Sequence, residues 1–254
     1  MNDNYLQHRQ EITIAVNDAD FNGQIKPGAI MGYFQDIATE HAALLGLGMS
    51  DMLARKLGWV MIRMSFKVLK SPDIGEVLTI QTFPEKPKAV DVNRGYYIYN
   101  QAGEMVICGS SKWCALDMET QKLQRCAALF ERFDAADYIP HEPFEDANGK
   151  IEALADCGAP IEGPYLFTVQ VTDLDLNFHM NNARYGDVLL NVCGVEMLKT
   201  SVLARVDLNF MSQLFIGDRY EVYKAQKENV TWIEAKKTDT DVIVFRVRAE
   251  WNQR

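Results

Sequence analysis

The chain has 254 residues, 48% of them hydrophobic and 24% charged, an ordinary globular composition with room for one large domain or two of about 125 residues. Its 26 basic against 35 acidic residues give a net charge of −9, which excludes a general binder of nucleic acid or of anionic membranes. The five cysteines, Cys108, Cys114, Cys126, Cys157 and Cys193, are odd in number and show no Cys-x-x-Cys spacing, so neither a disulfide framework nor a zinc site is predicted.

The opening stretch "MNDNYLQHRQEITIAV" has no apolar core and no cleavage site, and no long apolar run follows; a cytoplasmic protein with reduced thiols and no integral membrane segment is expected. From residue 16 runs "VNDADFNGQIKPGAIMGYFQ". Pro27 suits the first turn of a helix, and Ile30, Tyr33, Phe34 and Ile37 recur at helical spacing. Strand-like runs follow at 59–69, 75–83, 94–100 and 104–116, bounded by turn signals such as Ser71-Pro72-Asp73 and Gln101-Ala102-Gly103. Residues 130–156 are acidic, carry Pro140 and Pro143 and show weak periodicity, which predicts an inter-domain connection. After it comes "VTDLDLNFHMNNARYGDVLL" (171–190), with Tyr185, Val188, Leu189 and Val192 at helical spacing, and then strand-like runs at 201–211, 217–226, 231–238 and 242–251.

The second half repeats the first. A displacement of 155 positions brings Asp18 onto Asp173, Asp20 onto Asp175, Asn22 onto Asn177, Gln24 onto His179 and Pro27 onto Asn182. Gly75-Glu76 and Gly217-Asp218 occupy equivalent turns, and Trp113 and Trp251 close the last strands. Each half reads as one long helix followed by about four antiparallel strands, an α+β arrangement in which a sheet curls round a helix.

His179 is the chemical difference between the copies. A histidine takes a proton from water near neutral pH, its unperturbed pKa being about 6.5. If the loop is extended, Asp175, Asn177 and His179 alternate and project from one side. The helix that follows offers backbone N–H groups and a positive dipole end to a developing oxyanion. Each residue also has a plain structural reading. An isolated histidine packs or caps, Asn177 suits a turn, Asp175 shares its place with Asp20 in the copy without histidine, and Asn181 or Asn182 suits the helix cap. Cys193 reads as buried, His41 as structural, and His8 and His141 as exposed.

The run "DLDLNFHMNNARY" resembles the signature of acyl-ACP thioesterases, and "GWVMIRMSFKV", "SPDIGEVLTIQTF" and "NRGYYIYNQAGEMVICGSSKWCALD" resemble that family's N-terminal domain. The resemblance covers most of the chain. It implies a double (tandem) hotdog, each half an antiparallel sheet wrapped round a long central helix. Residues 1–129 would be a non-catalytic N-terminal hotdog holding the acyl chain, 130–160 a linker and 161–254 the catalytic C-terminal hotdog. The implied reaction is hydrolysis of fatty acyl-ACP to free fatty acid and holo-ACP, with no metal and no organic cofactor.

The resemblance also implies site residues. Asp175, Asn177 and His179 form the catalytic set, and Gln213 stands where the family usually has a glutamate. A glutamine is no base, although it can hydrogen-bond a water or an imidazole. Asn182 and Tyr185 are implied at the substrate, with Met52, Trp59, Met61 and Met64 lining a dry acyl channel in the first half. Lys86, Lys88 and Arg94 are the implied docking cations for acylated acyl carrier protein, the partner, on a monomer or homodimer. An acyl-CoA thioesterase of the same fold, a hotdog hydratase and a non-catalytic acyl-binding protein are the alternatives, the last favoured by Gln213.

Overall fold

The computed structural model describes residues 5–134, 137–138 and 146–254. The chain falls into two units: Met1–Ala15 with Gly32–Asn148, and Val16–Met31 with Gly149–Arg254. Among the described residues no helix is long and apolar enough to cross a membrane.

The first unit is built on an antiparallel sheet of β1 (His8–Thr13), β2 (Leu57–Val68), β3 (Val77–Pro84), β4 (Asp91–Tyr99) and β5 (Met105–Asp117), in the order β1-β3-β4-β5-β2, with the short β6 (Leu123–Gln124) on β5. The long helix α1 (Pro27–Leu44) begins at the proline that suits a first turn, and two short helices follow, α2 (Met49–Ala54) and α3 (Cys126–Leu129). The helical spacing does what it predicts: Ile30, Phe34 and Ile37 are buried. Phe34 stacks on Tyr96 at 4.3 Å and meets Phe66 edge-on at 6.3 Å. Gly109 makes room for this, because a Cβ there would run into the Phe34 ring.

Along β4 the alternation turns Val92, Arg94, Tyr96 and Ile98 inward. Arg94 is therefore no surface cation. It is only 8% exposed, and its Nη1 donates to His41 Nδ1 at 3.0 Å and to Thr82 Oγ1 at 3.3 Å. The docking role expected of Arg94 fails on this point, whereas Lys86 and Lys88 are exposed. His41 is structural, as expected: buried, with Nε2 3.0 Å from the Tyr5 carbonyl. A carbonyl only accepts, so the proton sits on Nε2 and the Nδ1 lone pair faces Arg94. His8 is not exposed as expected; it stacks on His41 at 5.7 Å, with Nε2 3.1 Å from Glu40. His141 lies outside the described residues.

Burial first, and then the Arg94 guanidinium, push the His41 pKa down to about 4. The unfolded chain therefore binds the extra proton more readily, and stability rises with pH across that interval. The contribution is fully present above the ordinary histidine pKa and is lost as the pH falls through about 4. Arg94, the His8 ring and the Tyr5 carbonyl face it, with Thr82 bonded in turn to Arg94 and Glu40 paired with His8. His41→Gln retains an acceptor for Arg94 and a donor for Tyr5 but has no proton to bind. Urea unfolding at pH 7 and pH 4 is expected to show a larger loss of stability in the wild type than in His41→Gln.

The connection expected at 130–160 is tied down at its described ends. Phe130, Phe133 and Tyr138 pack with Leu6, Leu45, Leu47 and Val92 of the first unit. At the other end Asn148 is buried, its N–H donating to Ser65 Oγ and its Nδ2 to Ser110 Oγ, both at 2.8 Å. Residues 135–136 and 139–145 lie outside the described residues.

The second unit has β7 (Ile161–Thr168), α4 (Asn182–Thr200), β8 (Ser201–Phe210), β9 (Arg219–Lys227), β10 (Val230–Lys237) and β11 (Ile243–Gln253), its antiparallel sheet running β8-β11-β10-β9-β7. Tyr185, Val188, Leu189 and Val192 form the buried face of α4, which kinks at Gly194, where φ is 78°. Tyr185 meets Phe245 and Phe210 edge-on at 4.7 and 5.4 Å. The starts of α1 and α4 touch backbone to backbone in this unit. A Cβ on Gly28 would lie 2.9 Å from the Ala183 carbonyl, and one on Gly186 would lie 2.9 Å from Gly28 Cα.

Each sheet has an edge strand that was not expected, and the first also carries the short β6. β1 and β7 precede their helices, and neither announces itself, because both are largely exposed along their length. As edge strands they lack the buried alternation that marks the others, and Pro164 is tolerated in β7 for the same reason.

Candidate active site

The two helix-leading loops carry the same hydrogen bonds. Asp175 Oδ1 accepts from the N–H of Asn177 at 2.8 Å and of His179 at 3.1 Å; Asp20 Oδ1 accepts from Asn22 at 2.7 Å and Gln24 at 2.9 Å. Asp175 N–H donates to the His179 carbonyl at 2.8 Å, and Asp20 N–H to that of Gln24 at 2.8 Å. Asn181 N–H closes the second loop on the Asp173 carbonyl at 2.8 Å, and Lys26 N–H closes the first on that of Asp18 at 2.7 Å. The motif is an aspartate-centred turn, and aspartate suits it because a short carboxylate reaches the backbone two residues on.

The loop is therefore not extended. Residues 175–178 turn back, with Leu174 bridged to Met180, so Asp175, Asn177 and His179 do not alternate along a strand. Asp175 uses Oδ1 to hold the turn, as Asp20 does, while Asn177 is exposed and His179 is half-buried. Asn181 is the cap of α4, its side chain accepting from Ala183 N–H at 2.9 Å, and Asn182 is the first helical residue.

His179 is fixed from a second loop, residues 211–218, beyond the end of β8. Its backbone bridges to Phe215, and Met180 N–H donates to the Leu214 carbonyl at 2.8 Å. The Phe215 ring meets the imidazole edge-to-face, centroids 4.9 Å apart at 82°. Phe215 N–H donates to Asp218 Oδ2 at 3.0 Å, the same oxygen lies 2.6 Å from Lys237 Nζ, and that ammonium sits 5.5 Å from the Phe215 ring centre. Partial burial alone would raise the Asp218 pKa; Lys237 and the Phe215 N–H outweigh it and hold the carboxyl below its usual range. Gln213 lies in this loop, exposed, two residues before Phe215.

Tyr185 sits in the aromatic core of the second unit. Burial, and secondarily the Asp175 carboxylate, raise its hydroxyl pKa. Met52, Met61 and Met64 are buried in the first unit, Met52 beside Ala115 and Cys126, and the half-buried Trp59 donates to the Leu47 carbonyl at 2.9 Å. Asp175, Asn177, His179, Asn182, Tyr185 and Gln213 thus share the second unit, and the four channel residues share the first. Among the described residues no group of three His, Cys, Asp or Glu side chains is arranged to hold a metal. Sequence reasoning missed Phe215, Asp218 and Lys237, because nothing local links them to His179. It also passed over Phe178, whose signal is visible in the repeat as the partner of Gly23.

A long helix laid on an antiparallel sheet, in each of two units, with a histidine in only one of two matching loops, defines a tandem hotdog with one candidate centre. The chain belongs to the acyl-ACP thioesterase family: residues 5–130 match the family's N-terminal domain and residues 164–253 its C-terminal domain. The chloroplastic acyl-[acyl-carrier-protein] hydrolase FATB2 of Cuphea viscosissima is 26% identical over 213 residues, which cover 81% of this chain and 52% of the relative. The chloroplastic oleoyl-acyl carrier protein thioesterase 2 of Arabidopsis thaliana is 23% identical over 217 residues, 81% of this chain and 59% of the relative. The chain thus spans little more than half the length of these curated relatives. Among solved structures, an acyl-ACP thioesterase from Bacteroides thetaiotaomicron superposes with a TM-score of 0.83 at 21% identity, over 99% of this chain and 100% of that one. The 12:0-ACP thioesterase from Umbellularia californica superposes with a TM-score of 0.85 at 18% identity, over 98% of each chain. At these identities the likeness establishes the fold.

Proposed function

We propose that the chain hydrolyses fatty acyl-ACP thioesters to free fatty acid and holo-ACP. The observation that carries this reading is the pair of loops with one hydrogen-bonding pattern, of which only the second presents a histidine, half-buried at the start of a helix. His179 takes a proton from water, whose oxygen attacks the thioester carbonyl carbon. Asn182 N–H, at the first helical position, is the donor assigned to the resulting oxyanion. The tetrahedral intermediate collapses with cleavage of the carbon–sulfur bond, and the imidazolium returns its proton to the leaving thiolate. Asn177 orients the water or the substrate, Asp175 holds the turn, and Gln213 hydrogen-bonds without acting as a base.

In this reading residues 1–129 hold the acyl chain, with Met52, Trp59, Met61 and Met64 along it, residues 130–160 link, and residues 161–254 perform the chemistry. Lys86 and Lys88 meet the acidic carrier protein. Five free thiols suit the reducing cytoplasm. Thiol release from matched acyl-ACP and acyl-CoA panels is the test, with faster turnover of acyl-ACP expected. Faster acyl-CoA turnover would reassign the carrier, and tight acyl binding without thiol release would leave a binding protein. Gln213→Glu is expected to raise the rate by adding a carboxylate beside the histidine loop.

A further inference from the structure

Phe178 occupies a position that the backbone reserves for glycine. Its φ is 62°, in the left-handed region that bulky residues avoid. The same turn in the first copy places Gly23 there, with φ 77°, so the turn forms without any side chain at this point. Phe178 is also 75% exposed, and Leu176 in the same loop is 84% exposed. On the facing 211–218 loop, Phe215 and Ile216 are exposed as well. Apolar surface thus collects on the two loops that meet at His179, and neither the turn nor the core accounts for Phe178. Isolated exposed apolar side chains are ordinary, but a cluster rimming a candidate centre marks a contact surface.

We propose that Phe178, together with Phe215, holds the carrier-side arm of the thioester, the amide-containing chain that leads from sulfur to the carrier. This rests on the thioesterase reading. The acyl chain is purely apolar and must leave water, so it belongs to a buried channel and not to a rim where Phe178 is 75% and Phe215 44% exposed. The arm alternates methylenes with amides and emerges into water, and an aromatic face offers van der Waals contact to both. Because CoA and acyl carrier protein carry the same arm, Phe178 serves recognition of the arm and not of the carrier's protein surface.

The test compares wild type, Phe178→Gly and Phe178→Tyr. With acyl-ACP, Phe178→Gly is expected to raise KM about tenfold with kcat within about twofold, an effect in the range of one lost aromatic contact, and Phe178→Tyr to keep the wild-type KM. With the ethanethiol ester of the same acyl chain, which has no arm, all three are expected to behave alike. The thermal midpoint of Phe178→Gly is expected not to fall, since Gly23 holds the same turn. Calorimetric titration with an acyl-pantetheine amide, in which N–H replaces the sulfur, is expected to show the same tenfold weakening, and it reports on Phe178 even if the wild type releases no thiol. Unchanged KM and Kd in Phe178→Gly, or an equal loss on the ethanethiol ester, would overturn the proposal.

Discussion

His179→Ala is expected to lower thiol release from acyl-ACP by about 10²–10⁴-fold, the usual contribution of a positioned general base, with the loop intact. The loop survives because its bonds at this position are all made by the backbone: His179 N–H donates to Asp175, and its carbonyl accepts from Asp175 N–H. The side chain itself loses only the edge-to-face contact with Phe215, about 0.5–1.5 kcal/mol for such a pair. The first copy is the internal control, since Gln24 occupies the same hydrogen-bonded place. His179→Gln should therefore keep the loop and match His179→Ala in activity and in stability, since both lack the ring that meets Phe215. Rate measurements beside urea unfolding decide the matter: retention of more than about a tenth of the wild-type rate, against the usual worth of a general base, would remove His179 from the chemistry.

The second large effect is expected at Asp175, and it separates shape from charge. Asp175→Ala removes an acceptor shared by two backbone N–H groups, bonds to a charged group being worth about 1.5–3 kcal/mol each. The turn loosens, His179 loses its register against Phe215, and thiol release is expected to fall at least about tenfold, as small misplacements of catalytic groups commonly cause. Asp175→Asn retains an oxygen in the same place. If the carboxylate serves the turn, the asparagine variant keeps most of the activity; if its charge orients the imidazole, it falls as far as the alanine variant. The geometry favours the first outcome, because Asp20 makes the same bonds where there is no imidazole to orient. Asp20→Ala is accordingly expected to lose comparable stability and little activity, with unfolding midpoints and thiol release measured on all three variants.

Much of this was legible in the sequence because it is periodic or repeated. Helical spacing placed Ile30, Phe34, Tyr185 and Val188 on buried faces. The runs 59–69, 104–116 and 201–211 became β2, β5 and β8 to within a few residues. The displacement of 155 residues pairs the two loops from sequence alone. Chain identity and local spacing suffice for such features, since burial of an apolar stripe and the reach of an aspartate side chain act over a few neighbouring residues.

Elsewhere only the tertiary structure decided. Arg94 looked like a surface cation beside Lys86 and Lys88, but strand alternation turned it inward onto His41, a residue 53 positions away. The loop before α4 was legible as a repeated motif yet not as a turn, because an extended segment and a turn held by one carboxylate share the same residues. The edge strands β1 and β7 carry no buried alternation to announce them. Phe215 and Lys237 reach the imidazole and its neighbour only because the 211–218 loop pairs back onto residues 179–180. By itself the sequence determined the repeat, the class of fold and the histidine that distinguishes the copies, all set by local pattern. The environment of that histidine depends on groups distant along the chain, and only the pairing of the folded backbone brings them within contact distance.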